Sequence, residues 1–276
     1  SWLKANLLDD FSLIASCIND MQPHYIIDFM GQGMVAQSWD DPGLWYQTNV
    51  VAKSNLLQTL LSIQSLKKYI RASTPEVFGS SEFPQNSTSS FNPSTPYAVS
   101  HACIDSHIRC LGRQFDFPYV LARYANFYGP GQQLYRVIPR AILSCLTQSK
   151  FILDGGGKSS RSFISSFDIT SSIDKLIGSE ANMCEYNFSG GEEVSIRKLI
   201  EMVCTITNKD FDEVVTLGPE RPGKDLYYRL DCSTSFSCLD WSPQVSLHDG
   251  ILSMVGWVQS NLSFLRNESW NYEHRS

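Results

Sequence analysis

Apolar positions change their spacing repeatedly along the first half of the chain. Over residues 9–22 they lie three or four positions apart, which predicts a helix, and Pro23 ends it. Residues 24–30 follow as a short, mostly apolar run that leads into a glycine-containing loop, as expected for a buried strand. A helix followed by a buried strand is thus the first predicted unit.

The same alternation continues beyond this unit. Helical spacing returns over residues 44–65 and again from just after Pro96 to about residue 115. Short apolar strands are predicted at 68–72 and 119–123. Helices that alternate with buried strands favour a parallel sheet covered on both faces, so we predict an α/β fold.

The pattern is mixed beyond residue 130. The predicted elements are a helix near 136–147, a strand at 150–154, a Gly- and Ser-rich loop at 155–162, further short strands, and helices near 195–207 and 247–260. This mixture favours a smaller α+β unit packed on the first. We therefore predict two domains, one over 1–130 with parts of 163–190 and one mainly over 131–276.

The composition of the chain excludes several classes of function. The chain has 276 residues, of which 42% are hydrophobic, and a net charge of −6, which argues against a disordered protein and against nucleic-acid binding. It has no run of about 18 apolar residues and no secretory signal, so we expect a cytoplasmic protein that does not bind a membrane. The eight cysteines form no C-x₂-C pair and the five histidines are scattered, so no metal site is expected.

Three polar residues are placed to meet in one cleft. Thr74 and Glu76 come just after the strand at 68–72, and Tyr97 begins the next helix. Because ligands of open parallel sheets bind at the carboxyl ends of the strands, we expect these side chains to face one crevice. His101 lies four residues after Tyr97, one turn further along the same helix face.

Several segments resemble one enzyme family. STPEVFG at 73–79, PYAVS at 96–100 and RYANFYGP at 123–130 occur in the order found in the extended short-chain dehydrogenases that modify nucleotide sugars, the NAD-dependent epimerase/dehydratase family. The pieces ERPGKD and LDWSP, together with Glu76, make the chain most similar to the nucleotide-sugar 4,6-dehydratases of the dTDP-glucose or GDP-mannose type. The resemblance extends over nearly the whole chain.

The resemblance implies a reaction and a cofactor. It makes Tyr97 the base that takes the proton from the sugar O4 while the C4 hydride passes to NAD, with Thr74 bonded to that oxygen. Glu76 would remove the C5 proton before water leaves C6. Asn6, Leu7, Tyr97 and His101 match positions that contact NAD in the family.

The resemblance also implies a substrate and a partner. The nucleotide and its diphosphate would be bound by Asn126, Arg136, Arg161 and Arg221. Arginine suits this task because its planar guanidinium makes two charge-assisted hydrogen bonds to phosphate oxygens. Relatives pair through two long helices, here near 44–65 and 95–115, so the expected assembly is a homodimer.

Two positions depart from the family pattern. The family helix reads Tyr-x-x-x-Lys, and His101 stands where the lysine is expected. A tyrosine with a pKa of about 10 is a poor base at neutral pH unless a cation stabilises its phenolate, and a neutral histidine supplies little fixed charge. Pro75 occupies the position where many of these dehydratases carry an acidic aspartate.

The glycine-rich phosphate-binding sequence expected of the family is not found. A strand followed by G-x-x-G-x-x-G should open the dinucleotide-binding domain, so we expect an incomplete Rossmann-like sheet joined to a smaller α+β substrate-binding domain. Two readings stay open. The first is an NAD-dependent dehydratase or epimerase whose first part is not in this sequence, and the second is a degenerate, non-catalytic relative that binds nucleotide sugar or acts through its dimer surface.

Overall fold

The computed structural model describes residues 2–219 and 227–273. Its strands are β1 (Tyr25–Asp28), β2 (Lys68–Ser73), β3 (Tyr119–Tyr124), β4 (Asn126–Tyr128), β5 (Phe151–Asp154), β6 (Ser160–Ser165), β7 (Cys184–Phe188), β8 (Glu193–Ser195) and β9 (Val215–Gly218). Its helices are α1 (Phe11–Met21), α2 (Pro42–Tyr46), α3 (Lys53–Leu60), α4 (Pro96–Phe115), α5 (Val137–Thr147), α6 (Ser166–Gly178), α7 (Ile196–Ile206), α8 (Phe211–Val214), α9 (Ser233–Leu239), α10 (Leu247–Ser260) and α11 (Leu262–Leu265). Short 3₁₀ turns lie at Ala36–Trp39, Pro75–Phe78 and Gly155–Gly157, and a π-helical turn, Gln47–Ala52, joins α2 to α3.

The main sheet has four parallel strands in the order β1, β2, β3, β7. Helices α3 and α4 connect these strands and pack against the sheet, with Leu57, Ile104 and Ile108 buried in the shared core. This is a Rossmann-like α/β arrangement, and the strands predicted at 24–30, 68–72 and 119–123 are confirmed. All of them run in the same direction, so their carboxyl ends meet at one edge.

The first residues of the long helix α4 determine where it begins. Thr95 caps it by accepting a hydrogen bond from the Ala98 amide at 3.1 Å. Pro96 follows at the first helical position, where a missing amide hydrogen does no harm. The helix thus begins at Pro96, one residue before the predicted start, and Tyr97 is held in its first turn.

The second half of the chain builds its own core. Helices α5, α7 and α10 pack together around Ile142, Leu199 and Ile251, none of which is exposed to solvent. Two small sheets flank them, β4–β6–β8 and β5–β9. The predicted helices near 136–147, 195–207 and 247–260 are confirmed, whereas the division of the chain into two domains near residue 130 stays a prediction.

Helix α6 was not predicted, because its sequence was expected to form short strands. It begins after Ser165, whose hydroxyl caps it by accepting from the Phe167 amide at 3.3 Å. Ile169 and Leu176 bury its inner face against the main sheet. Isoleucine, serine and threonine are weak helix formers, so packing on the sheet stabilises this helix more than its intrinsic propensity does.

The loop between β2 and α4 is tied to the rest of the chain by backbone hydrogen bonds. The Asn92 amide donates to the Val77 carbonyl at 2.9 Å. The Gln85 amide donates to the Arg229 carbonyl, and the Gln85 carbonyl accepts from the Asp231 amide, both at 2.9 Å.

Across the described ranges, no helix combines the length and apolarity that a bilayer crossing requires.

The close approach of α10 to β4 can be tested at one glycine. A Cβ added to Gly250 would overlap the hydroxyl of the buried Tyr128, so Gly250→Ala should destabilise the fold by about 1–3 kcal/mol through overpacking. Gly256 lies on the same helix and faces open space. Gly256→Ala is the matched control and should stabilise the protein by up to about 1 kcal/mol through helix propensity. Equal effects in urea unfolding would contradict this packing.

Candidate active site

Thr74 and Glu76 lie immediately beyond the carboxyl end of β2. Thr74 is buried and caps the short turn Pro75–Phe78, because its hydroxyl accepts a hydrogen bond from the Glu76 amide at 3.3 Å. Pro75 presets the backbone at the first position of the turn. The capped turn fixes both side chains at the edge of the sheet where the parallel strands end.

The Tyr97 phenol lies beside these two residues. Burial, followed by the negative charge of Glu76, raises the pKa of Tyr97 to about 12. A hydrogen bond with the Thr74 side chain and the positive charges of Arg136 and Arg71 oppose this rise in pKa without cancelling it. Thr74, Glu76, Tyr97 and Arg136, all selected from the sequence, therefore converge on one place.

His101 packs against Tyr97 one turn further along α4. The two ring centroids are 4.6 Å apart, and only 7% of His101 is exposed. Its Nδ1 lies 3.0 Å from Nη2 of Arg71, while its Nε2 is buried and has no hydrogen-bond partner among the described residues. Burial, and after it the charges of Arg71 and Lys53, hold the pKa of His101 well below 6.5, so the imidazole is neutral at physiological pH.

A buried ionic network that was not predicted lies behind His101. Lys53 contacts Asp28 at 2.6 Å, and Arg71 contacts Asp105 at 3.1 Å. Arg123 on the neighbouring strand reaches the other oxygen of Asp105 at 3.2 Å. All five side chains are almost completely buried. Asp28, Arg71 and Arg123 each interrupt an apolar strand. Charged residues in buried strands were the sequence signal that could have indicated this network.

The network controls the charge of its own members. Burial alone would raise the pKa of Asp28, but the adjacent Lys53 and Arg71 hold it below its ordinary value. Burial lowers the pKa of Lys53 to about 8 against the attraction of Asp28. The Asp28 carboxylate also accepts a short hydrogen bond from the Tyr69 hydroxyl. Lys53 and Asp28 are consequently both charged at neutral pH.

The residues selected for substrate binding all follow β3 in the chain. Arg136 immediately precedes α5, and a Cβ on Gly33 would lie 3.3 Å from its Nη2, so the loop after β1 reaches this guanidinium. Asn126 is exposed on β4. Arg161 on β6 lies over the Tyr228 ring at 4.5 Å and donates to the Ser160 carbonyl at 2.7 Å. Arg221 lies outside the described residues.

Asn6 and Leu7 are placed before α1, away from this cluster in the sequence. Leu7 is buried in the core formed with α3 and α4. The Asn6 side chain makes local hydrogen bonds, accepting from the Leu8 amide at 3.0 Å and donating to Asp9 at 2.8 Å. Their role in cofactor binding stays a prediction.

Within the described ranges, no group of three His, Cys, Asp or Glu side chains is arranged to hold a metal ion.

The sequence pattern of a known family extends over most of the chain. The pattern described as GDP-mannose 4,6-dehydratase matches residues 2–254. The chain belongs to this family. The expected relationship to nucleotide-sugar dehydratases and epimerases is thereby confirmed at the level of the family.

Individual relatives agree with this assignment. The chain is 24% identical to the dTDP-glucose 4,6-dehydratase of Xanthomonas campestris over 95% of its length and 78% of the relative's. It is 26% identical to dTDP-glucose 4,6-dehydratase 1 of Escherichia coli, over 96% and 83% of the two lengths. The similarity thus extends over most of this chain and most of each relative.

Solved structures share the fold. DesIV, a dTDP-glucose 4,6-dehydratase from Streptomyces venezuelae crystallised with NAD, matches with a TM-score of 0.88 and 26% identity, covering 94% of this chain and 80% of that one. A UDP-glucose 4-epimerase from Thermotoga maritima matches with a TM-score of 0.87 and 23% identity, over 94% and 84% of the two chains. The expected Rossmann-like fold is confirmed.

The buried network should make one lysine unusually important for stability. Lys53→Met would leave the buried Asp28 carboxylate without its main partner, and we expect a loss of about 3 kcal/mol in the free energy of unfolding. Lys175→Met is the control, because Lys175 and Asp240 form an exposed pair at 3.6 Å that contributes about 0–1 kcal/mol. Equal losses in urea unfolding at neutral pH would show that the network does not stabilise the fold.

Proposed function

We propose that the protein is a nucleotide-sugar 4,6-dehydratase that uses NAD. The observation that carries this proposal is the convergence of the Glu76 carboxylate, the Thr74 hydroxyl and the Tyr97 phenol at the end of β2. Removal of a proton from carbon needs a base in addition to the group that takes the hydroxyl proton. An epimerase reaction at C4 needs no such second base, so Glu76 favours the dehydratase.

The residues around Tyr97 fit the nicotinamide end of NAD. The buried His101 Nε2 has no hydrogen-bond partner among the described residues, and a ribose hydroxyl would provide an acceptor for it. Tyr97 and His101 would hold this part of the cofactor, and Asn6 and Leu7 the adenine end. When bound, NAD would accept the hydride from the sugar C4 and return it at C6. The relatives with known structures that contain NAD support this assignment.

Tyr97 and Glu76 would then each take one proton from the sugar, and Thr74 would hold the reacting oxygen. Tyr97 takes the proton of the sugar O4, and Thr74 keeps that oxygen in place by a hydrogen bond. Glu76 takes the C5 proton, which the C4 ketone has made acidic. Pro75 supplies no acid at the neighbouring position, so Glu76 is the carboxyl group that this turn offers for passing the C5 proton to the C6 oxygen as water leaves. When the hydride adds at C6, C5 takes up a proton again, and the O4 proton that Tyr97 releases to solvent balances it.

The substrate would be a nucleotide diphosphate sugar. Arg136 lies next to Tyr97 and carries a positive charge into the cleft, where a diphosphate needs one. Arg161, Asn126 and Arg221 were selected from the sequence for the same ligand. The homodimer also stays a prediction, supported by apolar side chains on the surface of the predicted pairing helices, Val51 at 56% and Val99 at 40% exposed.

A second candidate is a family member that binds these ligands without turning them over. It is favoured by the high pKa of Tyr97, because a phenol with a pKa of about 12 is deprotonated in about one molecule in 10⁵ at neutral pH. Binding would then be the whole function. Turnover is the measurement that separates the two candidates.

The deciding experiment follows a deuterium atom. The complete natural protein is incubated with NAD and with dTDP-glucose, UDP-glucose or GDP-mannose labelled at C4. A dehydratase should move the deuterium to C6 of a 4-keto-6-deoxy product, whereas an epimerase should leave it at C4 of an inverted sugar. Binding by calorimetry without any product would establish the binding-only candidate. If none of the three sugars binds, the proposal fails.

A single substitution tests the carboxylate. Glu76→Gln should lower the rate of water loss by at least about 10²-fold while nucleotide-sugar binding changes little, because the amide cannot take the C5 proton. The exposed Glu268 provides the matched control, and Glu268→Gln should leave both measurements unchanged. An unchanged rate of water loss in Glu76→Gln would remove the main support for a dehydratase.

A further inference from the structure

The two ring nitrogens of His101 have different surroundings. Nδ1 lies 3.0 Å from Nη2 of Arg71. A guanidinium can only donate hydrogen bonds, so Nδ1 must be the acceptor in this contact. The imidazole is neutral, so its single proton must then be on Nε2. Arg71 thus determines which nitrogen of His101 carries the hydrogen.

The Arg71 guanidinium is itself held in one orientation. Its Nε donates to Asp105 at 3.1 Å, and its Nη1 lies 3.7 Å from the Asp28 carboxylate on the neighbouring strand. Asp105 is also bonded by Ser73 at 2.7 Å, and Asp28 by Lys53 at 2.6 Å. Since these groups are almost fully buried, water cannot replace any of the contacts. The nitrogen that faces His101 is therefore fixed.

The opposite side of the imidazole is left with an unused donor. Only 7% of His101 is exposed, and its Nε2 has no partner among the described residues. A buried donor without an acceptor is energetically unfavourable. Its ring packs on Tyr97, whose phenol lies beside Thr74 and Glu76. Such a donor is matched by an oxygen atom of a bound ligand.

We propose that Arg71 is a positioning residue that fixes His101 as an Nε2–H donor to a hydroxyl oxygen of the ligand bound beside Tyr97. The identity of that ligand rests on the proposed function, in which both NAD and the nucleotide sugar carry hydroxyl groups. Arg71 also brings a permanent positive charge to this side of the cleft from β2, and no proton has to move for that charge to be present.

Nitrogen NMR on the complete natural protein tests the positioning role directly. With ¹⁵N-labelled histidine, the His101 signals are identified by their loss in His101→Gln. We expect an unprotonated Nδ1 and a protonated Nε2, and we expect this state to persist as the pH falls through about 6.5, where a free histidine titrates. The groups that face the imidazole are Arg71, Lys53, Asp28 and Tyr97. A proton on Nδ1 would overturn the proposal without any variant.

Substitutions of Arg71 provide the second test. Arg71→Met should leave a mixture of the two neutral forms of His101 and raise its pKa toward the ordinary value, because a donor and a positive charge are both lost. Arg71→Lys keeps a charged donor and should largely restore the Nε2–H form. Lys53→Met is the matched control, since it removes a buried cation from the same network without a contact to Nδ1. An Nε2–H form that is unchanged in Arg71→Met would overturn the proposal.

Ligand titrations show which molecule accepts the hydrogen bond. NAD and dTDP-glucose are added separately, and the Nε2–H signal should shift with the ligand whose hydroxyl it contacts. Arg71→Met should bind that ligand about tenfold more weakly, equivalent to one net hydrogen bond, and Arg71→Lys should stay within about threefold. Binding of both ligands without any shift would overturn the donor role. If neither ligand binds, the proposed function fails, and the form of His101 in the free protein still decides the role of Arg71.

Discussion

The pairing of buried carboxylates with buried cations is the constraint on which the arrangement of the cleft depends. The 2.6 Å contact between Lys53 and Asp28 joins the first strand of the sheet to helix α3, and both groups are buried. A buried carboxylate must be paired, because an isolated charge in the protein interior is far more costly than one in water. Arg71 lies 3.7 Å from the same carboxylate and donates to Asp105 at 3.1 Å, so its guanidinium is held between two buried acidic side chains.

The second carboxylate extends this constraint across the sheet. Asp105 on α4 accepts from Arg71, Ser73 and Arg123, which lie on two adjacent strands. Helix α4 is therefore locked to the same strands whose carboxyl ends carry the candidate site, and Tyr97 is set in position by the same contacts. An intact buried ion pair adds little net free energy compared with apolar packing, whereas removing one partner is costly because the other charge is left buried and unpaired. Each member of the network therefore has to stay in place for the others to be tolerated.

The fold was largely readable from the sequence because the apolar spacing followed the period of each element. The parallel strands and helix α4 have clear patterns and a capping residue, Thr95. Helix α6 was missed because contacts with the sheet, and not its own composition, stabilise it. The positions of Thr74, Glu76 and Tyr97 at one edge also followed from the sequence, since parallel strands place their ends together.

The sequence could not reveal how the charge near Tyr97 is supplied. From the sequence, His101 in place of the expected lysine leaves little fixed charge near Tyr97. In the structure, Nη2 of Arg71 lies 3.0 Å from Nδ1 of His101, so a permanent cation is present on this side of the site. A contact between a strand residue and a helix residue 30 positions apart depends on the tertiary fold, which no local pattern contains.

The electrostatic repulsion between the Glu76 carboxylate and the Tyr97 phenolate has two effects on the proposed chemistry. The negative charge of Glu76 raises the pKa of Tyr97, which makes the phenolate scarce. The same repulsion makes that phenolate a stronger base, since taking a proton from the sugar hydroxyl removes one of two neighbouring negative charges. Once Tyr97 is neutral, Glu76 no longer faces an adjacent anion and keeps its own charge for the C5 proton. A single electrostatic contact thus favours the order in which the two groups would act, with the phenol first and the carboxylate second.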